Sequence, residues 1–127
     1  MTRINVGVNP KELCREHLLA ECRELKRIPN NVKKGKYKMD VPLPSSFNLG
    51  KGHERFFIDK LLYLQRRYKS LREEALNRNY NVTDFSDAFD NLPKHLLNDY
   101  TPTERDRSIV LERIEERLKV MNQRKKK

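Results

Sequence analysis

Two features of this chain could do chemistry: a threonine at position 2 and the string Arg23-Glu24-Leu25-Lys26-Arg27. A small residue after Met1 permits removal of the methionine, which leaves Thr2 with a free α-amine. The ordinary pKa of such an amine is about 7.7, against about 10.4 for a lysine. Roughly a fifth of it is therefore unprotonated near neutral pH. A partly free amine is a nucleophile suited to Schiff-base formation, provided an acid or base stands beside it. Glu24 is the candidate for that group. The plainer reading of Thr2 is an ordinary frayed chain start.

The elements that must position these groups read as helices. Asn9 can cap, Pro10 suits a first turn and Glu12 completes a capping box, which predicts a helix over 10–26. Leu13, Leu18 and Leu25 point it toward a core. His17, Ala20, Arg23, Glu24 and Arg27 recur at three- and four-residue steps and share another face. That face is either solvated or a site, and spacing alone does not decide between them.

From 27 to 46 the prolines and Gly35 predict an irregular connection, made basic by Lys33, Lys34, Lys36 and Lys38. It is a solvated loop or a grip on phosphates. A second helix is expected over 52–77, with Phe57, Leu61, Leu64, Tyr68, Leu71 and Ala75 as its buried stripe. Gly50-Lys51-Gly52-His53 precedes it, without the strand or Lys-Ser/Thr ending of a P-loop. Short helical turns follow over 84–91 and 93–98. A second capping box, Thr101-Pro102-Thr103-Glu104, opens a last helix that runs to about 122. It buries Val110, Ile114, Leu118 and Met121 and carries Arg113 and Arg117 on its opposite side. The expectation is an all-α fold: a compact single domain over 1–127, with three main helices, short helical turns, long irregular connections and a basic tail at 123–127.

With 28 Lys and Arg against 18 Asp and Glu, the net charge is +10, which points to a polyanionic partner, nucleic acid first. No apolar run approaches membrane-spanning length and no signal peptide is evident, so an intracellular protein, not a secreted one, is expected. Cys14 and Cys22 lie eight apart on one expected helix, too far for a bridge, and are read as reduced thiols. Neither has the Cys/His spacing of a zinc site, so no metal is expected.

Met1-Thr2-Arg3-Ile4-Asn5, His17-Leu18, Ala20-Glu21, Arg23-Glu24-Leu25 and Arg27 together resemble the pyrimidine-dimer DNA glycosylase/AP lyase family typified by endonuclease V of T-even bacteriophage. Leu49-Gly50, Gly52-His53, Phe56-Phe57, Asp59-Lys60-Leu61, Asp99-Tyr100, Pro102 and Arg113 extend the resemblance to about residue 118. It implies that Thr2 and Glu24 are catalytic, with the amine attacking C1′ of a damaged nucleotide and Glu24 assisting sugar opening and later proton transfers. It implies phosphate-binding roles for Arg3, Arg23, Arg27, Arg113 and Arg117 and a site role for His17. It further implies double-stranded damaged DNA as partner, a monomer, no cofactor, and a host-cell or virus-encoded setting. Arg117 stands where the family pattern has Lys, and the family's aromatic-rich end is replaced by Asn122-Gln123-Arg124 and lysines. Two other readings stay open at this level: the same amine chemistry on another lesion or a bare abasic site, and a non-catalytic basic DNA-binding module.

Overall fold

A computed structural model describes residues 4–35, 44, 47 and 53–125, and among them every regular element is helical. These elements are α1 (Arg15–Glu24), α2 (Arg27–Lys33), α3 (His53–Phe56), α4 (Leu61–Asn77) and α5 (Glu104–Lys125). Three short 3-10 turns join them, at Pro10–Glu12, Ser86–Phe89 and Lys94–Leu96. The all-α reading holds, with α1, α4 and α5 as the main helices. No helix among the described residues is long and apolar enough to cross a membrane.

Two expected helices are broken, each for a local reason. The capping box at Asn9 forms, but it caps only the 3-10 turn: Glu12 accepts the Asn9 N–H at 2.9 Å, and Asn9 accepts the Lys11 N–H at 3.0 Å. Leu13 and Cys14 then run extended, and the Leu13 carbonyl turns aside to accept from Arg78 at 2.9 Å. The helix expected over 52–77 breaks after α3, where Phe56, Phe57 and Ile58 are all buried. Successive residues on a helix point 100° apart, so no straight helix turns three in a row inward. A turn closed by Lys60 N–H on the Phe57 carbonyl at 2.9 Å lets all three bury.

The segment expected to be irregular from 27 begins instead with α2. Pro29 is its third residue, where the helix needs no backbone donor, and Gly35, at φ +66°, ends it in the left-handed conformation. Asn79, at φ 64°, ends α4 in the same way. The cap of α5 also differs: Thr103, not Thr101, caps it, exchanging hydrogen bonds of 3.1 and 3.0 Å with Asp106. The remainder of the basic loop, 36–43 and 45–46, lies outside the described residues, as does Gly50-Lys51-Gly52.

α1 packs on α4, and the expected stripes of both helices are buried in one core, from Leu13, Leu18 and Leu25 to Phe57, Leu64, Leu71 and Ala75. Each such side chain contributes about 1.5–3 kcal/mol on burial. Val110 and Ile114 of α5 join the core, whereas Leu118 and Met121, expected to be buried, are only partly so. Cys14 and Cys22 are free thiols. The N-terminal segment is itself core, with Ile4, Val6 and Val8 at most 1% exposed. Gly7 makes this close fit possible: its φ is +78°, and a Cβ there would lie 3.1 Å from that of Arg107.

Candidate active site

A cleft of about 240 Å³ opens between the N-terminal segment, α1 and α5, lined by Asn5, His17, Ala20, Glu21, Glu24, Arg113 and Arg117. The structure thus brings together four residues singled out from sequence: His17, Glu24, Arg113 and Arg117. The helical spacing explains this. His17, Ala20, Glu21 and Glu24 are three, four or seven apart on α1, and Arg113 and Arg117 are one turn apart on α5.

Arg23 and Arg27 are not among the residues lining the cleft; they flank Glu24 instead. Their guanidinium groups stand 4.0 and 3.7 Å from its carboxylate. Both arginine side chains are more than half exposed, whereas that of Glu24 is only 18% exposed. Ion pairs so exposed contribute about 0–1 kcal/mol, so these two arginines are inexpensive to redirect toward another anion. The cleft mouth therefore presents the sheltered Glu24 carboxylate among four guanidinium groups, a potential that attracts phosphate.

Behind the cleft lies a polar chain that crosses the protein. Arg67 of α4 is buried and donates twice to Glu21, at 2.8 and 3.0 Å, and also to the Val8 carbonyl. Glu21 accepts from the Asn5 carboxamide at 2.7 Å, and the Asn5 oxygen in turn accepts from Arg113. Two buried charges are tolerated because each is fully met by partners. Sequence reasoning matched Glu21 and Asn5 to a motif without giving them a role, and it passed over Arg67. The signal was present: Glu21 interrupts the Leu18–Cys22–Leu25 stripe, and Arg67 interrupts Leu64–Tyr68–Leu71. A charge inside each of two facing apolar stripes implies a pair.

His17 lies beside these arginines, and its Nδ1 is buried without a hydrogen-bond partner among the described residues. Burial holds its pKa below the ordinary 6.5, and the charges of Arg113 and Arg117 lower it further, against the opposing pull of Glu16 and Glu21. The ring is neutral at neutral pH, able to donate or accept but carrying no charge to the cleft. His53, another residue with no role assigned from sequence, is buried near Phe47 and Phe57, and its Nε2 accepts the Ile4 N–H at 2.9 Å. Thr2 and Arg3 lie outside the described residues.

A larger cleft, of about 460 Å³, lies along α4 near Tyr68, Arg72, Leu76 and Phe89 and contains none of the residues expected to act.

The family model for pyrimidine dimer DNA glycosylase matches residues 1–87. That span carries Asn5, His17, Glu21, Glu24 and both flanking arginines, while Arg113 and Arg117 fall beyond it. A phosphate-attracting cleft around the sheltered Glu24 carboxylate suits an enzyme whose substrate is DNA. The chain belongs to the pyrimidine dimer DNA glycosylase family, whose activity is DNA repair.

Proposed function

We propose that the protein excises UV-induced pyrimidine dimers by attack of the Thr2 α-amine on C1′ of the damaged nucleotide, and then nicks the strand. The amine lone pair forms the N–C1′ bond as the glycosidic bond breaks, and the departing base takes the electron pair. Opening of the sugar at C1′–O4′, with loss of the amine proton, gives an imine. Removal of a C2′ proton then expels the 3′ phosphate by β-elimination, so one active site acts as both glycosylase and AP lyase.

The observation that carries this reading is the sheltered Glu24 carboxylate in a cleft that Asn5 also lines. Three peptide units separate Asn5 from Thr2, a covalent tether of roughly 11 Å at most. In that setting Glu24 stabilises positive charge on the opening sugar and then carries protons between O4′, the imine and C2′. Arg113 and Arg117 hold phosphates on one side of the cleft, and Arg23 and Arg27 do so on the other, with Arg3 joining them. Together they keep the duplex bent, so that the lesion leaves the stack; a damaged site lowers that cost of a few kcal/mol. Neutral His17 donates to or accepts from the substrate without competing for phosphate. One chain holds every group, and it acts as a monomer on double-stranded DNA.

Borohydride reduction on dimer-containing duplex tests the mechanism. A covalent protein–DNA adduct is expected, and it should vanish when the N-terminus is acetylated. An acetylated protein that still forms the adduct would rule out the amine. Parallel cleavage of dimer, abasic and oxidised-base duplexes tests the lesion: dimer-independent cleavage would reassign the substrate while retaining the chemistry.

A further inference from the structure

Asn5 is 4% exposed, and its carboxamide links α1 to α5 within the polar chain. Its Nδ2 donates to Glu21 at 2.7 Å, and its Oδ1 accepts from Arg113, 108 residues away in sequence. Glu21 is in turn held by Arg67, so the acceptor for Asn5 is fixed from the core outward. Neighbouring residues of the same segment are fastened as well: Ile4 by His53, Gly7 by Arg107 and Val8 by the same Arg67. An amide that must donate on one side and accept on the other fits this place in one orientation only.

We propose that Asn5 is a positioning residue for the reaction. By bridging Glu21 and Arg113, it fixes in one register the segment that ends in the attacking amine, and it sets the Arg113 guanidinium over the same cleft. It acts through its two neighbours, and a shift of about 1 Å in what they hold costs about 100-fold in rate. The inference rests on the amine mechanism proposed above.

The experiment compares wild type, Asn5→Ala, Asn5→Asp and the core variant Ala75→Gly, all as full-length protein. The readouts are single-turnover nicking at saturating dimer-containing duplex, borohydride trapping and thermal melting. Asn5→Ala should lose about 10- to 100-fold in single-turnover rate and in trapping rate together. Asn5→Asp should lose at least as much, because it sets a carboxylate against Glu21. Ala75→Gly is the stability control: Ala75 is buried in α4 and lines no part of the cleft, and a glycine inside a helix lowers stability. Its melting temperature should fall while its single-turnover rate stays near that of wild type, which separates positioning from lost stability.

Asn5→Ala nicking within twofold of wild type, or Ala75→Gly losing as much rate as Asn5→Ala, overturns the proposal. If Asn5→Ala does not fold, Asn5→Asp compared with Ala75→Gly decides the matter. Wild-type protein that forms no adduct counts against the amine mechanism, whereas normal adduct formation by both wild type and Asn5→Ala counts against Asn5 alone.

Discussion

Glu21 and Arg67 face each other across the α1–α4 interface, their side chains 1% and 7% exposed, joined by hydrogen bonds of 2.8 and 3.0 Å. Removing one partner strands the other as an uncompensated buried charge. Glu21→Ala should therefore destabilise the protein by about 3–5 kcal/mol, more than any single exposed ion pair on α1. Urea unfolding monitored by circular dichroism measures it; a loss below about 1 kcal/mol would mean that water reaches Arg67.

Glu24→Gln keeps the size and polarity of the side chain but removes its charge and its ability to take a proton. Turnover on dimer-containing duplex should fall by roughly 10²- to 10⁴-fold, the range in which general acid–base groups act. Binding should be unchanged or tighter, because the four surrounding arginines lose their competing anion. Nicking and gel-shift assays on one preparation separate the two effects, and a fully active variant would remove Glu24 from the mechanism.

Gly7→Ala meets two penalties at one residue. Its φ of +78° is costly for any L side chain, by about 1–2 kcal/mol, and the new methyl would sit 3.1 Å from the Arg107 Cβ. The expected result is a lower melting temperature, with nicking reduced because Gly7 lies two residues from Asn5 in the segment fastened at the cleft. Gly35→Ala is the control: its φ is similar, but nothing lies within 4 Å of the added Cβ. Equal losses in both variants would mean that the approach to Arg107 is immaterial.

His17 titrates below its ordinary 6.5, chiefly through burial and next through Arg113. Between the lowered value and 6.5 the unfolded chain takes up a proton that the folded chain refuses. The contribution of His17 to stability is thus complete above pH 6.5 and declines as pH falls through that window. NMR titration of the ring should place its midpoint below 6.5, and Arg113→Gln should move it upward. A midpoint unmoved by that substitution would show that Arg113 does not bear on the ring.

The helical class and most of the core were legible because Leu18, Leu64, Leu71 and Ala75 repeat at helical spacing, and periodicity is a local property. Grouping His17 with Glu24 was legible for the same reason, as was placing Arg113 one turn from Arg117. Periodicity did not show where the helices stop. The break at Leu13 depends on Arg78, 65 residues away, and the turn at Phe57–Lys60 depends on what the three apolar residues must reach. The role of Asn5 was hidden too, since a small polar residue near a chain end carries no pattern. Its meaning lies in Glu21 and Arg113, which only the folded chain brings near.

The link from Asn5 to Arg113 bears on when the protein becomes competent. A growing polypeptide that has left the ribosome only as far as α4 has made Glu24 and His17 but not the two arginines of the opposite wall. Until the last helix is synthesised, the opening residues lack two of their anchors, Arg113 on Asn5 and Arg107 on Gly7. Unfinished chains accordingly lack Arg113 and Arg117, half of the arginines around the cleft, so a partial translation product carries an incomplete site.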